Sequence, residues 1–270
     1  MDLKLRPLVL AVGLGVSVAA IALSGMAQNA PAQGYLGANV PDGRVFIPPP
    51  PALGSVADVV DVTAYERTRA LKGSPRWDLA AKDAVQTPAA VLADFDCAVG
   101  VNIDQATAPK LMALMTRVGR DIGASVNKAK DHFKRPRPFT RIPGPICAGV
   151  PEEMAKSWSY PSGHTTGGWT YALILAELAP DRASEILERG REYGESRVVC
   201  GVHWVSDVEA GRTNGAGLVA ALHADPGFTA DLAAARAELA ALRKTATARP
   251  DAAQCKALDE LASPQPWIAP

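Results

Sequence analysis

Apolar residues recur at three- and four-residue spacing along most of the chain from residue 56 onward, which is the pattern of helices that bury one face. Almost no segment shows the period-two alternation of a half-buried strand. We therefore predict an all-α fold in a single domain, without internal repeats. Seven segments carry the helical pattern: Ala57 to Leu71, Ala80 to Asp94, Ala108 to Lys130, Pro161 to about Ala179, Pro180 to Tyr193, His203 to Ala221, and Phe228 to about Arg243.

The N-terminal segment, residues 1–27, has the order of a secretory signal peptide. Lys4 and Arg6 precede an uncharged apolar run from Pro7 to Leu23, and Gly25-Met26-Ala27 then places small residues where a signal peptidase cuts. An uncleaved membrane anchor is the alternative, but the run is a little short of the roughly 20 residues that a spanning helix needs. We expect cleavage after Ala27 and export of the protein.

The rest of the chain divides into three regions. Residues 28–56 are rich in Pro, Gly and Ala, so an extended arm is predicted there rather than a packed element. The helical domain is expected over residues 57–245, and a C-terminal tail over residues 246–270. The most apolar stretch of the domain, Gly167 to Ala179, contains Glu177 and is too short to span a bilayer. No stable membrane insertion is therefore expected after signal cleavage.

Charge and cysteine usage narrow the function classes. The 28 basic and 28 acidic residues of the 270-residue chain balance, which argues against broad nucleic-acid binding. None of the four cysteines stands in a Cys-x-x-Cys pair, so a zinc site is not predicted. In an oxidising compartment they permit one or two disulfides, and three full pairings stay open. The cysteines are Cys97, Cys147, Cys200 and Cys255.

A first group of polar residues in helical sequence contains His203 and Asp207. On a helix, residues four positions apart share one face. The carboxylate can then accept a hydrogen bond from one ring nitrogen and leave the other nitrogen with a free lone pair. A histidine oriented in this way suits nucleophilic attack, and the carboxylate stabilises the positive charge that the ring gains. A surface ion pair on a helix is the structural alternative.

A second group is Tyr160-Pro161-Ser162-Gly163-His164-Thr165, at the start of a predicted helix. Ser162 and Gly163 would expose backbone N–H groups at the positive end of the helix dipole, where anions bind. His164 lies in the first turn and could act on a group bound at those amides. A proline-serine helix cap with an incidental histidine is the alternative.

A third group supplies cations, namely Lys130 and Arg137, which Arg197 joins from just before His203. Arginine binds phosphate oxygens bidentately and lysine adds a compact charge. A solvated basic turn is the alternative for Lys130 to Arg137. Together with one oriented histidine and a second acid histidine, three cations indicate phosphoryl transfer without a metal, because the cations can stabilise the equatorial oxygens.

These three groups resemble the signature of the phosphatidic acid phosphatase type 2 superfamily, which also contains vanadium haloperoxidases. The chain is most similar to its bacterial class A non-specific acid phosphatases, over roughly residues 46 to 243. The similarity extends to Pro48 through Ser55, Tyr65-Glu66, Arg76-Trp77 to Asp83-Ala84, and Gly190 through Gly194. It implies an all-α bundle, a periplasmic location, no cofactor or metal, and phosphate monoesters as substrates.

The resemblance also implies a role for each site residue. Lys130, Arg137 and Arg197 would hold the phosphate, with donors from Ser162 and Gly163. His203 would be the nucleophile, oriented by Asp207, and His164 would be the general acid and base. Lys128 and Arg135 repeat the spacing of Lys130 and Arg137, and we choose the second pair because its flanking residues fit this branch. His132 and His223 are interpreted as structural or surface residues.

Other functions stay open at this point. A vanadium-dependent haloperoxidase uses a similar set of anion-binding residues, although the chain is short for one. A lipid phosphate phosphatase is disfavoured because the domain has no spanning helix. A periplasmic phosphate-binding protein without catalysis would need neither His164 nor His203. The oligomeric state is open, and a homo-oligomer is compatible with the sequence.

Overall fold

The regular structure is helical throughout the residues that the computed structural model describes, which are Met1, 33–149, 151–262 and 265–268. The predicted all-α class is confirmed, because no strand occurs in these ranges. The α-helices are α1 (Gly43–Phe46), α2 (Val56–Arg69), α3 (Pro75–Lys82), α4 (Pro88–Ala93), α5 (Asp96–Val99), α6 (Pro109–Phe133), α7 (Pro138–Arg141), α8 (Pro151–Met154), α9 (Gly163–Leu178), α10 (Ala183–Val199), α11 (Val205–Leu222), α12 (Pro226–Thr245) and α13 (Ala252–Leu261). Apart from Met1, the predicted signal peptide lies outside the described residues.

Six of the seven predicted helices correspond to single helices of the structure, within about three residues at each end except for α10, which runs six residues beyond the predicted Tyr193. The prediction of one helix from Ala80 to Asp94 was wrong, because α3 ends and α4 begins inside it. Thr87 accepts a hydrogen bond from the backbone N–H of Ala90, and the following Pro88 disfavours helical backbone at Thr87. Asp83, which ends α3, is fully buried and binds Arg189 of α10. The break is thus marked locally by Thr87-Pro88, and the ion pair with Arg189 ties the end of α3 to α10.

The long helix α6 ends where the proline-rich segment begins. Pro109 occupies its first turn, where a missing N–H costs nothing. At its C-terminus Lys134 adopts a left-handed conformation with φ of 48°. The segment after it, Arg135-Pro136-Arg137-Pro138, cannot continue a helix, as the sequence predicts. The two arginines of this segment therefore lie on irregular backbone.

Helix α9 packs closely against α11 on one side of the core. A Cβ atom at Gly211 of α11 would lie 2.8 Å from the carbonyl oxygen of Ser162, so only glycine allows this approach. The backbone N–H of Ser162 donates to the carbonyl oxygen of Asp207 at 2.9 Å. The starts of α9 and α11, which carry the second histidine group and the first, are thereby held together.

The prediction of an unpacked arm over residues 28–56 was wrong for the part that the structure describes. Tyr35, Leu36 and Val40 belong to the main hydrophobic core. The backbone N–H groups of Tyr35 and Leu36 donate to the buried Asp121 carboxylate of α6 at 2.7 and 3.1 Å. The physical reason is that burial of three apolar side chains and the hydrogen bonds to Asp121 stabilise the packed arm. This gain exceeds the preference of a Pro- and Gly-rich segment for extended, unpacked backbone.

The C-terminal tail is likewise attached to the domain. Cys255 of α13 forms a disulfide with Cys97, and Cys147 forms a second one with Cys200. Trp267 is buried against α2 and α11 residues. The structure therefore chooses one of the three pairings that the sequence left open. None of the described helices is long and apolar enough to cross a membrane.

Candidate active site

The three polar groups meet at one cavity of about 620 Å³. Its long wall is a single face of α6, from Thr116 to Lys130, which corresponds to about 21 Å of helix. The start of α9 and His203 close one end. The wall includes Gln86, Lys130, Arg137, Gly163, His164, Gly167 and His203.

His203 is buried, and both of its ring nitrogens have partners. Its Nδ1 lies 3.2 Å from Oδ2 of Asp207, and its Nε2 lies 3.3 Å from Nη1 of Arg137. A carboxylate accepts and a guanidinium donates, so Nδ1 carries the proton and Nε2 carries the lone pair. Burial, followed by the nearby Arg137 and Lys130 charges, lowers the pKa of His203 well below its usual value. The ring is therefore neutral, and its unprotonated Nε2, which accepts from Arg137, lies at the cavity.

The sequence places His203 on the same helix as Asp207, and this detail was wrong. Helix α11 begins at Val205, with Trp204 as its N-cap. The Asp207 carboxylate accepts from the backbone N–H of Trp204 at 2.9 Å, which caps the helix. His203 lies one residue before the cap and still reaches the same carboxylate. The pairing thus arises from a helix cap rather than from a shared helical face.

Lys130 and Arg137 present their cationic groups at the cavity. Arg137 donates to the backbone carbonyl oxygens of Val202, Met154 and Ser157 at 2.9, 3.0 and 3.0 Å. Lys130 donates to the carbonyl oxygen of Trp158. Burial lowers the pKa of Arg137 to about 10, and burial together with Arg137 lowers that of Lys130 to about 7. Both cations lack a carboxylate partner within the described residues, which leaves their charge for an anion.

Arg197 is almost fully buried behind the cavity wall. Its Nη2 donates to the carbonyl oxygen of Ala80, and its buried Nε has no hydrogen-bond partner among the described residues. Buried polar atoms are rarely left unpaired, so this donor suits a ligand oxygen. After burial, the charge of Arg197 is the largest cause that lowers the pKa of His164. The charge of Arg197 therefore acts on His164.

The start of α9 is capped as the sequence predicts, and the cap uses the Ser162 hydroxyl. Its Oγ accepts from the backbone N–H and the hydroxyl of Thr165 at 3.3 and 3.0 Å. Ser162 is fully buried, whereas Gly163 lines the cavity. The serine hydroxyl is thus used to cap the helix, and Gly163 is the residue of this pair that borders the cavity.

His164 is fixed by a backbone contact that the sequence does not reveal. Its Nε2 lies 3.1 Å from the carbonyl oxygen of Ala84, so Nε2 carries a proton and Nδ1 remains for proton exchange. Burial and the cations Arg197, Arg137 and Lys130 lower the pKa of His164 to about 3. The ring is neutral unless an anion joins these cations.

Comparison with known proteins identifies the family. Residues 111–228 match the PAP2 superfamily. An acid phosphatase of Zymomonas mobilis is 46% identical over 216 residues, which cover 80% of this chain and 81% of that protein. Non-specific acid phosphatases of Providencia stuartii and Salmonella typhimurium are 40% and 41% identical and are covered over 83% and 80% of their lengths.

The chain belongs to the PAP2 superfamily. Its relatives place it among the acid phosphatases of that superfamily, so the predicted family and enzyme class are confirmed. The matched segment begins on α6 and ends on α12, and it includes every predicted site residue. No group of three or more potential metal ligands occurs in the described part of the chain.

The structure also distinguishes Arg135 from Arg137, which have the same sequence spacing from Lys128 and Lys130. Arg137 lines the cavity, whereas Arg135 points to Asp61 and Asp207. Lys128 is exposed and does not line the cavity. Lys130 and Arg137 therefore form the cavity pair, in the chosen frame. His132 and His223 are exposed outside the cavity.

Proposed function

We propose that this acid phosphatase hydrolyses a broad range of phosphate monoesters through a phosphohistidine on His203, without a metal. The observation that supports this most is the state of His203. Its Nδ1–H faces Asp207, and its unprotonated Nε2 faces a cavity that also holds Arg137. An oriented imidazole with an unprotonated nitrogen beside anion-binding groups suits attack on phosphorus. Two of the relatives are named non-specific, which supports broad specificity.

The phosphate would be held by three cations and a helix end. Lys130 and Arg137 line the cavity, and the buried Arg197, whose Nε has no partner among the described residues, would supply the third charge. The backbone N–H of Gly163 adds a donor at the positive end of α9. These groups stabilise the charge on the equatorial oxygens, which is the role that metal ions have in other phosphatases.

In the first step, the Nε2 lone pair of His203 attacks phosphorus and the P–O bond to the leaving alcohol breaks. The electron pair of that bond moves to the leaving oxygen, which takes a proton from His164. Asp207 stabilises the imidazolium that forms on His203. A bound phosphate offsets the cations that lower the pKa of His164, so substrate binding itself favours the protonated acid.

In the second step, water attacks the phosphorus of phosphohistidine and the P–N bond breaks. His164, now neutral, takes a proton from the water, and the electron pair of the P–N bond returns to Nε2 of His203. Inorganic phosphate leaves, and both histidines regain their starting states. The same residue thus serves as acid and then as base.

Rapid quench with a radiolabelled aryl phosphate tests this mechanism. The expected result is an acid-labile, base-stable phosphoenzyme whose label maps to His203 and is absent in His203→Ala. Asp207→Asn should form it more slowly, because the imidazole loses its orienting carboxylate. A label on any other residue, or a phosphoenzyme that still forms in His203→Ala, would refute the assignment.

We also propose that the protein acts in the periplasm after cleavage near Ala27. The charged start, apolar run and small residues of the N-terminal segment support this, and so do the bacterial relatives. Fractionation of a Gram-negative host should recover activity from the periplasm, with a mature N-terminus near Gln28. A full-length protein in the membrane pellet would instead support an anchor.

A further inference from the structure

A buried ion-pair network lies behind the His203–Asp207 pair, on the side away from the cavity. Arg135 donates from Nη1 to Oδ1 of Asp207 at 2.6 Å and from Nη2 to Oδ2 of Asp61 at 2.7 Å. The side chains of all three residues are at most 9% exposed. One guanidinium thus bridges two buried carboxylates, one of which holds the histidine.

The Asp61 carboxylate is fixed from a second direction. The backbone N–H and the hydroxyl of Ser206 donate to it at 2.8 and 2.5 Å. Ser206 also accepts from Arg135 at 2.6 Å. Since Ser206 adjoins Asp207 at the start of α11, the network connects α2, the segment after α6, and the helix start that orients His203.

We propose that Arg135 and Asp61 are positioning residues that set the charge of Asp207 and, through it, the proton affinity of His203. A carboxylate without exposure to water is costly to ionise, and Arg135 offsets that cost for Asp207. Asp61 limits the offset, because it shares the same guanidinium. The two carboxylates and the one guanidinium carry a net charge of −1. His203 therefore faces a group whose net charge is negative.

The inference rests on the proposed role of His203 and goes beyond it. In the active state the His203–Asp207 pair holds one proton, on Nδ1. A second proton on either residue removes the nucleophile or its orienting carboxylate. Activity therefore declines at low pH, where the pair takes up this second proton, and this decline is the acidic limb of the pH profile. Groups that face this pair from the surrounding elements are Asp61, Lys130, Arg135, Arg137, Tyr160, His164 and Arg197.

The two positioning residues should shift this acidic limb in opposite directions. Arg135→Gln removes a positive charge, so the pair binds its second proton more readily and the limb moves to higher pH. Asp61→Asn removes a negative charge, so the limb moves to lower pH. A shift of about one pH unit or more is expected for Arg135→Gln, because its charge contacts Asp207 directly, and a smaller shift is expected for Asp61→Asn, which acts through Arg135. Substrate ionisation is common to all variants and cancels from the comparison.

The experiment measures kcat and KM for p-nitrophenyl phosphate against pH in both variants. Arg135→Gln should also lower kcat by about 10–100-fold with KM little changed, as loss of an outer partner of a functional histidine does. Arg141→Gln is the matched control. It breaks a similar ion pair, with the buried Asp58 of α2, but has no contact with Asp207. Its acidic limb should stay with the wild type.

Two further measurements separate positioning from folding. In an Asp207→Asn background, Arg135→Gln should add no further loss of kcat, because its effect passes through Asp207. If Arg135→Gln does not fold, Asp61→Asn decides alone. Unchanged acidic limbs, limbs that shift in the same direction, or an additional loss in the Asp207→Asn background would overturn the inference. A wild-type phosphoenzyme on His203 together with unchanged limbs would overturn it while leaving the proposed function intact.

Discussion

The Nη1 atom of Arg137 lies 3.3 Å from Nε2 of His203, so the guanidinium donates to the unprotonated nitrogen of the histidine at the cavity. Arg137 is held there by three backbone carbonyls rather than by a carboxylate. Its charge is therefore not neutralised by an acid, and it lowers the proton affinity of His203. An anion bound at Arg137 and His203 would neutralise the guanidinium charge and would raise the proton affinity of the histidine.

The two histidines should respond differently to the leaving group. His203→Ala removes the nucleophile, so all substrates should be lost. His164→Ala removes the proton donor, so the loss should be near the upper end of about 10²–10⁴-fold for an alkyl phosphate and smaller for p-nitrophenyl phosphate. A phenolate leaves without a proton, whereas an alkoxide does not. Equal losses for the two substrates in His164→Ala would contradict its role as the acid.

Lys130 should determine where activity declines on the alkaline side. Its pKa is lowered to about 7, so its charge is present below that pH and is lost as pH rises through it. Lys130→Arg should keep the charge and move the alkaline limb of kcat/KM to higher pH, since arginine remains protonated. Lys128→Arg is the control, because Lys128 is exposed and outside the cavity. An unmoved limb in Lys130→Arg would show that another group controls it.

Chelation should leave activity intact. In the proposed mechanism Lys130, Arg137 and Arg197 supply the positive charge that stabilises the phosphoryl group. Dialysis against EDTA, followed by assay with p-nitrophenyl phosphate, should retain nearly full activity, while a zinc phosphatase treated in parallel loses it. If the chelated protein were inactive and recovered with zinc or magnesium, the metal-independent mechanism would be wrong.

The two disulfides should differ in their effects. Cys147–Cys200 lies three residues from both Arg197 and His203 in sequence, so its removal should lower kcat as well as stability. Cys97–Cys255 lies away from the cavity and spans 158 residues, against 53 for the other. By chain entropy, its removal should cost slightly more stability, within about 2–5 kcal/mol for either bond. Cys→Ser variants of each pair check this. Urea unfolding should show the larger loss of stability for Cys97–Cys255, and kcat should fall only for Cys147–Cys200.

The glycine at position 167 should control the size of the leaving group. A Cβ atom there would lie 3.7 Å from Nε2 of Gln86 and 3.9 Å from Ile122, which is ordinary contact. A larger side chain can therefore enter the cavity without a backbone clash. Gly167→Leu should raise KM for a nucleotide by about tenfold or more and leave ethyl phosphate little changed. Gly167→Ala is the size control, and equal effects on both substrates would contradict a leaving-group role for this wall.

Much of the site could be predicted because it depends on local spacing. The four-residue separation of His203 and Asp207 brings them together, although a helix cap achieves this rather than a shared face. The start of α9 follows from Ser162, whose side chain caps it. The carbonyl oxygen of Ala84, which fixes His164, carries no sequence signal because every residue has one.

The sequence by itself determined the all-α class, the approximate helices and the set of histidines and cations, because periodicity, proline and capping act over a few residues. The tertiary structure decided which arginine faces the cavity. Arg135 and Arg137 are two residues apart on irregular backbone, and contacts with Asp61 and Asp207, more than 70 residues away, turn only Arg135 inward. The cysteine pairing and the packing of the arm against the core share this origin. Each is set by partners distant in sequence, whose position no local pattern encodes.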